Sequence, residues 1–191
     1  MSVKDDFISA RKNALEKYFV RLNNMQKKAV FTTEGPVLIL AGAGSGKTSV
    51  LVNRIANMVN FGSAYTDTNV PASANEDDVT FLESYNGEKD EDTVARLKEI
   101  AAVNPVDPWK IMAITFTNKA AGELKERLET MLGENAANIT AATFHSVCVR
   151  ILRREIERIG YGHDFVIYDS DDSLRLLKSC YEPLDMSDKI F

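Results

Sequence analysis

The chain is poor in cysteine, histidine and tryptophan and has no long apolar run, and these shortages remove whole classes of protein. Two cysteines, Cys148 and Cys180, cannot build a disulfide framework, and with only two histidines no zinc-ligand spacing arises. Two reduced thiols are the expectation, and with them a cytoplasmic setting. No hydrophobic stretch approaches the roughly 20 residues that span a bilayer. The opening Met1-Ser2-Val3-Lys4-Asp5-Asp6 lacks the apolar core of a secretion signal. Few prolines and glycines exclude a collagen-like chain, and 45% hydrophobic with 27% charged residues excludes one disordered throughout. At 191 residues there is room for one domain and part of a second.

The formal charge of −5 argues against nucleic-acid binding by bulk electrostatics but leaves room for a local groove. That charge is uneven. From Asn60 to Pro108 eleven acids face three bases, a net −8, which leaves the remainder mildly basic at +3. The chain reads as a basic body carrying an acidic insertion.

Apolar spacing predicts a peripheral helix over 7–20 and a short helix over 24–31 capped by Asn23 or Asn24. Behind Glu34-Gly35-Pro36 comes the compact run Val37-Leu38-Ile39-Leu40-Ala41, whose length and branching predict a buried strand. A helix over 48–59 follows. Residues 62–86 are too poor in apolar groups to order themselves, so a mobile surface excursion is expected, with one helix near 92–102. Strands are predicted at 110–115 and 139–143, and helices at 118–132, stopped by Gly133, and 144–159, stopped by Gly160. Strand then helix, three times, argues an α/β fold with a parallel sheet.

The strongest chemical signal is Ala41-Gly42-Ala43-Gly44-Ser45-Gly46-Lys47-Thr48, set between a strand pattern and a helix pattern. Glycines at 42, 44 and 46 let backbone N–H groups turn inward onto phosphate oxygens, at the positive end of the following helix dipole. Lys47 would reach the β/γ-phosphates and the Thr48 hydroxyl would take one Mg²⁺ position. A second candidate, Phe165-Val166-Ile167-Tyr168-Asp169, ends in an acid as a metal-holding strand would. No Glu follows, and Ser170-Asp171-Asp172-Ser173 favours a helix cap there.

Flanking motifs complete the pattern. Upstream lies Leu22-Asn23-Asn24-Met25-Gln26; downstream lie Ile114-Thr115-Phe116-Thr117-Asn118-Lys119-Ala120-Ala121 and Thr143-Phe144-His145-Ser146. In this order the set resembles the N-terminal part of superfamily 1A DNA helicases of the UvrD/Rep/PcrA type. Taken alone, Gln26 could be a surface glutamine, Phe116 a core residue and His145 a structural histidine. The resemblance implies that Gln26 reads adenine, that residues 41–48 hold ATP with Mg²⁺, and that Lys47 and Thr48 serve catalysis. It also implies that Thr115, Phe116, Thr117, Asn118, Thr143, Phe144 and His145 hold single-stranded DNA, with Phe116 stacking on a base.

The fold implied is a RecA-like P-loop NTPase sheet flanked by helices and incomplete. Residues 1–21 would form an extension and 22–167 part of motor domain 1A, with an acidic insertion at about 62–105. Residues 168–191 would begin helical domain 1B. The activity implied is ATP-driven 3′-to-5′ translocation and unwinding, in repair or replication. The family's Asp-Glu motif II is absent from the chain, so the chain alone is expected to be hydrolysis-deficient and monomeric. Two other readings share the phosphate motif: the helicase portion of an AddA/RecB-type nuclease-helicase, and a small P-loop kinase, which gives no account of Thr143-Phe144-His145. A protein-interaction role for the acidic insertion is a further alternative.

Overall fold

Residues 3–42 and 44–181 are described by a computed structural model. Ala43 of the expected phosphate cradle lies outside the described residues, as do 182–191 of the expected 1B segment. The chain divides into two compact units, the first running to Phe144 and the second starting at His145.

The first unit holds two apolar cores. Helix α1 (Val3–Tyr18) contributes Phe7, Ala10, Ala14, Leu15 and Tyr18 to one of them. Against these pack Val30 and Phe31 of α2 (Asn24–Phe31), Val50 of α3 (Lys47–Asn60), Leu82 of α4 (Glu76–Ser84), and Leu97 and Ala101 of α5 (Glu91–Ala101). Edge-to-face ring pairs fill the centre, with Tyr18 and Phe61 5.0 Å apart and Phe19 and Phe31 5.6 Å apart, a geometry that favours the ring quadrupoles. The helix expected to be peripheral is therefore central.

The acidic segment corrects a second expectation, because it is folded. Asn75 caps α4 through a reciprocal pair of bonds with Asp78, and Asp90 caps α5 by accepting from the Thr93 amide. Its apolar groups are few, and alone they would not offset the entropy of ordering. They become sufficient because α1 supplies the opposite wall of the core. At the base of the excursion Gly62 bridges Val103, with Ser63 N–H donating to Val103 O at 2.9 Å and Val103 N–H to Phe61 O at 3.1 Å. Arg11, 0% exposed, donates to the carbonyls of Asn69 at 3.1 Å and Asp67 at 2.5 Å, tying α1 to the start of the segment. Burial lowers its pKa, partly offset by Asp67.

Two tyrosines of this core give the unit an alkaline limit. Burial, together with the Glu16 carboxylate that accepts from Tyr65 Oη at 2.7 Å, pushes the Tyr65 phenol up to about 12. Burial and then Tyr18, Asp90 and Glu88 push Tyr85 up to about 12. In the unfolded chain these phenols ionise at their ordinary value of 10. Between those values the folded state keeps protons that the unfolded state releases. The stabilisation is whole below pH 10 and is lost as pH rises towards 12. Urea unfolding repeated across that window should show a steady fall in stability, shallower in Tyr85→Phe.

The second core joins Val52, Ile55 and Ala56 of α3 to Leu124, Leu128 and Leu132 of α6 (Asn118–Leu132), with Ala113 of β1 (Met112–Thr115) and Ala141 of β2 (Thr140–Thr143). The strands are parallel, Met112 opposite Thr140 and Thr115 opposite Thr143, with α6 as the crossover. A 3-10 turn at Pro108–Lys110 delays β1 relative to the expected 110–115.

The third expected strand is not formed. Residues 37–41 join no ladder, and Leu38 and Leu40 are 84% and 88% exposed. A strand exists only through a neighbour, and among the described residues β1 and β2 pair with each other alone. The apolar run is present; among the described residues no strand pairs with it.

In the second unit, α7 (Phe144–Glu155) ends earlier than expected and tightens into a 3-10 turn at Ile156–Ile159, closed by Gly160 at φ +85°. Residues 165–169 form no strand. Asp169 instead caps α8 (Ser170–Tyr181), accepting from the Asp172 amide at 2.8 Å, which settles its two readings for the cap. Among the described residues no helix is long and apolar enough to cross a membrane.

Candidate nucleotide and nucleic-acid site

The phosphate loop leads directly into α3. Gly44 at φ +75° and Gly46 at φ +81° take the left-handed conformation that an L side chain resists, so the loop curls as the spacing of glycines requires. Gly46 is the N-cap and supplies no side-chain cap. The first-turn N–H groups of a helix have no intrahelical acceptor, and no side chain caps those of α3. Ser45 Oγ donates to Gly42 O at 2.7 Å, and Lys47 Nζ donates to Ala41 O at 3.1 Å and Gly42 O at 2.6 Å. The lysine thus closes the loop on itself. Thr48, one residue on, is exposed.

Gln26 is brought to this loop. On α2 its backbone N–H donates to the capping Asn23 Oδ1 at 2.9 Å, while its side-chain Oε1 accepts from Asn23 N–H at 3.0 Å. The same side chain donates through Nε2 to Ser45 O at 3.2 Å. Each end of the amide is used once, and one donor and one acceptor position are left over. The bond from Gln26 to Ser45 joins two motifs 19 residues apart in the chain.

At the other candidate surface, the pairing of Thr115 with Thr143 sets the residues that follow, Phe116 and Phe144, at the same end of the sheet. Phe116 is 94% exposed, which removes the core-packing reading, and Phe144 is exposed as well. Thr117 has a structural duty that the sequence reading did not assign: its Oγ1 caps α6 by accepting from the Ala120 amide at 3.2 Å. Asn118 is exposed and Thr143 buried. His145 is exposed and begins the second unit.

Sequence reasoning missed two residues behind this loop. Arg54 Nη1 donates to Ala29 O at 2.5 Å and to Thr32 O, and Asn57 Nδ2 donates to Val30 O at 3.3 Å. Their signal was slight: Arg54 and Asn57 stand three apart among several other polar residues of α3. Burial lowers the Arg54 pKa. Among the described residues no cluster of three or more His, Cys, Asp or Glu could hold a metal ion.

Comparison with known proteins gives the family. Residues 22–70 and 93–190 match the model of the UvrD/REP helicase N-terminal domain. The chain is 41% identical over 170 residues to the ATP-dependent DNA helicase PcrA of Bacillus subtilis, covering 89% of this chain and 17% of that protein. It is 40% identical over 179 residues to PcrA of Staphylococcus epidermidis, covering 94% and 18%, and 39% identical over 170 residues to PcrA of Staphylococcus aureus, covering 89% and 18%. The chain therefore spans under a fifth of the length of these relatives. The unmatched stretches, 1–21 and 71–92, are the ones that carry α1 and α4. With its phosphate loop, Gln26 and paired strand ends in this arrangement, the chain belongs to the UvrD/REP helicase N-terminal domain family.

Proposed function

We propose that this chain is the ATP- and single-stranded-DNA-binding N-terminal part of an ATP-dependent 3′-to-5′ DNA helicase, built on a RecA-like P-loop fold. One observation carries the reading: Gln26 reaches Ser45 O at 3.2 Å, so a base-reading amide and a phosphate cradle share one site. The names of the PcrA relatives support it, and they favour neither a nuclease-helicase nor a kinase. In domain terms, residues 22–167 would be part of motor domain 1A and 168–191 the start of 1B.

The residues fit a nucleotide. Gly44 has open space around it and α3 presents an uncapped N-terminus, so the amides of residues 44–48 can turn onto phosphate oxygens. Lys47 would exchange the carbonyls of Ala41 and Gly42 for the β/γ-phosphates, and Gln26 would spend its spare donor and acceptor on adenine. Thr48 would hold Mg²⁺ through its hydroxyl; the ion supplies charge neutralisation at the phosphates. Thr115, Phe116, Thr117, Asn118, Thr143, Phe144 and His145 would contact the DNA. Phe116, a phenyl ring left in water, suits sequence-tolerant base stacking.

Binding and hydrolysis separate in this chain. Among the described residues Lys47 has carbonyl partners and no carboxylate partner, and Asp169 is used as a helix cap. Phosphoryl transfer also needs a metal-holding acid and a group that orients water. A steady-state ATPase assay with single-stranded DNA should give no turnover above background while a fluorescent ATP analogue still binds. Turnover that Lys47→Ala removes would overturn this expectation.

A further inference from the structure

A helix ends with carbonyls that have no intrahelical donor, and those of α2 are served from outside. Arg54 reaches Ala29 O at 2.5 Å and also Thr32 O, and Asn57 reaches Val30 O at 3.3 Å. The guanidinium also brings positive charge to the negative end of the α2 dipole. Arg54 lies on α3, the helix that the phosphate loop opens, and α2 carries Gln26. At its other end α2 meets the loop through Gln26, whose Nε2 donates to Ser45 O at 3.2 Å.

From this arrangement we propose that Arg54 is a positioning residue for base selection: by clamping the C-terminal carbonyls of α2 onto α3, it keeps Gln26 on the rim of the phosphate loop. The proposal rests on the reading that Gln26 meets the base. Eight residues make α2 too short to hold its own register, so beyond the packing of Val30 and Phe31 the anchor at each end sets where residue 26 points. One guanidinium nitrogen, Nη1, meets both carbonyls, held in place by its planar group at a reach that the shorter, freely rotating ammonium of lysine does not reproduce.

The test measures binding of fluorescent ATP and GTP analogues to the 191-residue chain, with inorganic tripolyphosphate as competitor. Wild type should prefer ATP by roughly tenfold, the worth of about one net hydrogen bond. Gln26→Ala should bring that ratio to about one. Arg54→Met should lower the ratio at least threefold while tripolyphosphate affinity stays within about twofold, because the loop and its lysine are untouched. Arg54→Lys, which keeps charge and fold, should fall between the two and carries the test if the methionine variant does not fold. A wild-type ratio in Arg54→Lys, or an equal loss of ATP, GTP and tripolyphosphate affinity in Arg54→Met, overturns the proposal. A wild-type chain without preference overturns the Gln26 reading instead.

Discussion

Lys47→Ala should weaken binding of a fluorescent ATP analogue by roughly 100-fold, since one to two charge-assisted hydrogen bonds contribute about 1.5–3 kcal/mol each. The lysine rests at 2.6 Å from Gly42 O and 3.1 Å from Ala41 O, both neutral acceptors in an exposed loop. Exchanging these neutral carbonyls for charged phosphate oxygens keeps the hydrogen bonds and adds attraction between opposite charges, so the net change favours the nucleotide. Lys47→Arg should lose nearly as much, because a planar fork does not replace a compact ammonium in a tight backbone ring. Tripolyphosphate should follow ATP in both variants, which separates phosphate contacts from those of Gln26. Affinity within twofold of wild type in Lys47→Ala, measured by anisotropy at fixed salt, would exclude the loop as the phosphate site.

How much of this was legible in the sequence depends on how local each signal is. The phosphate loop, the Asn23–Gln26 cap, α6 with its Gly133 stop and the paired strands at 112–115 and 140–143 all follow from motifs and spacing within a few residues. Phe116 was legible as a candidate, but its exposure was not, because an aromatic at a strand end has the same local pattern whether it is packed or free. Strand 37–41 failed for the opposite reason: its pattern was right, and a ladder needs a partner that no local pattern supplies. In the acidic segment, composition spoke for disorder. The few groups that decide the matter, Leu82, Leu97 and Ala101, find burial on α1, distant in the chain. Arg54 and Asn57 were missed likewise, since their partners are backbone carbonyls on another helix.

That long-range closure of the acidic segment yields the largest expected loss of stability. Gly62 has φ +58°, and a Cβ built on it would stand 2.1 Å from Val103 O and 2.4 Å from Asn104 O. Gly35 has a similar φ of +72° but nothing within 4 Å, so it isolates the cost of the backbone conformation from the cost of the clash. Gly35→Ala should cost about 1–2 kcal/mol, the strain of a left-handed alanine. Gly62→Ala carries that strain and must also push the two backbones apart. Separation breaks the bonds from Ser63 N–H to Val103 O and from Val103 N–H to Phe61 O, each worth about 1 kcal/mol. The total reaches about 3–5 kcal/mol, against a stability of about 5–15 kcal/mol for a typical domain. At roughly 2–4 °C per kcal/mol for a chain of this size, calorimetry should show Gly62→Ala melting about 10 °C or more below wild type and well below Gly35→Ala. Because the bridge holds α4 and α5 against α1, the same substitution should expose Leu82 and Leu97 and raise binding of an apolar dye. Equal melting of the two alanine variants would mean that the segment is not closed at Gly62 and Val103.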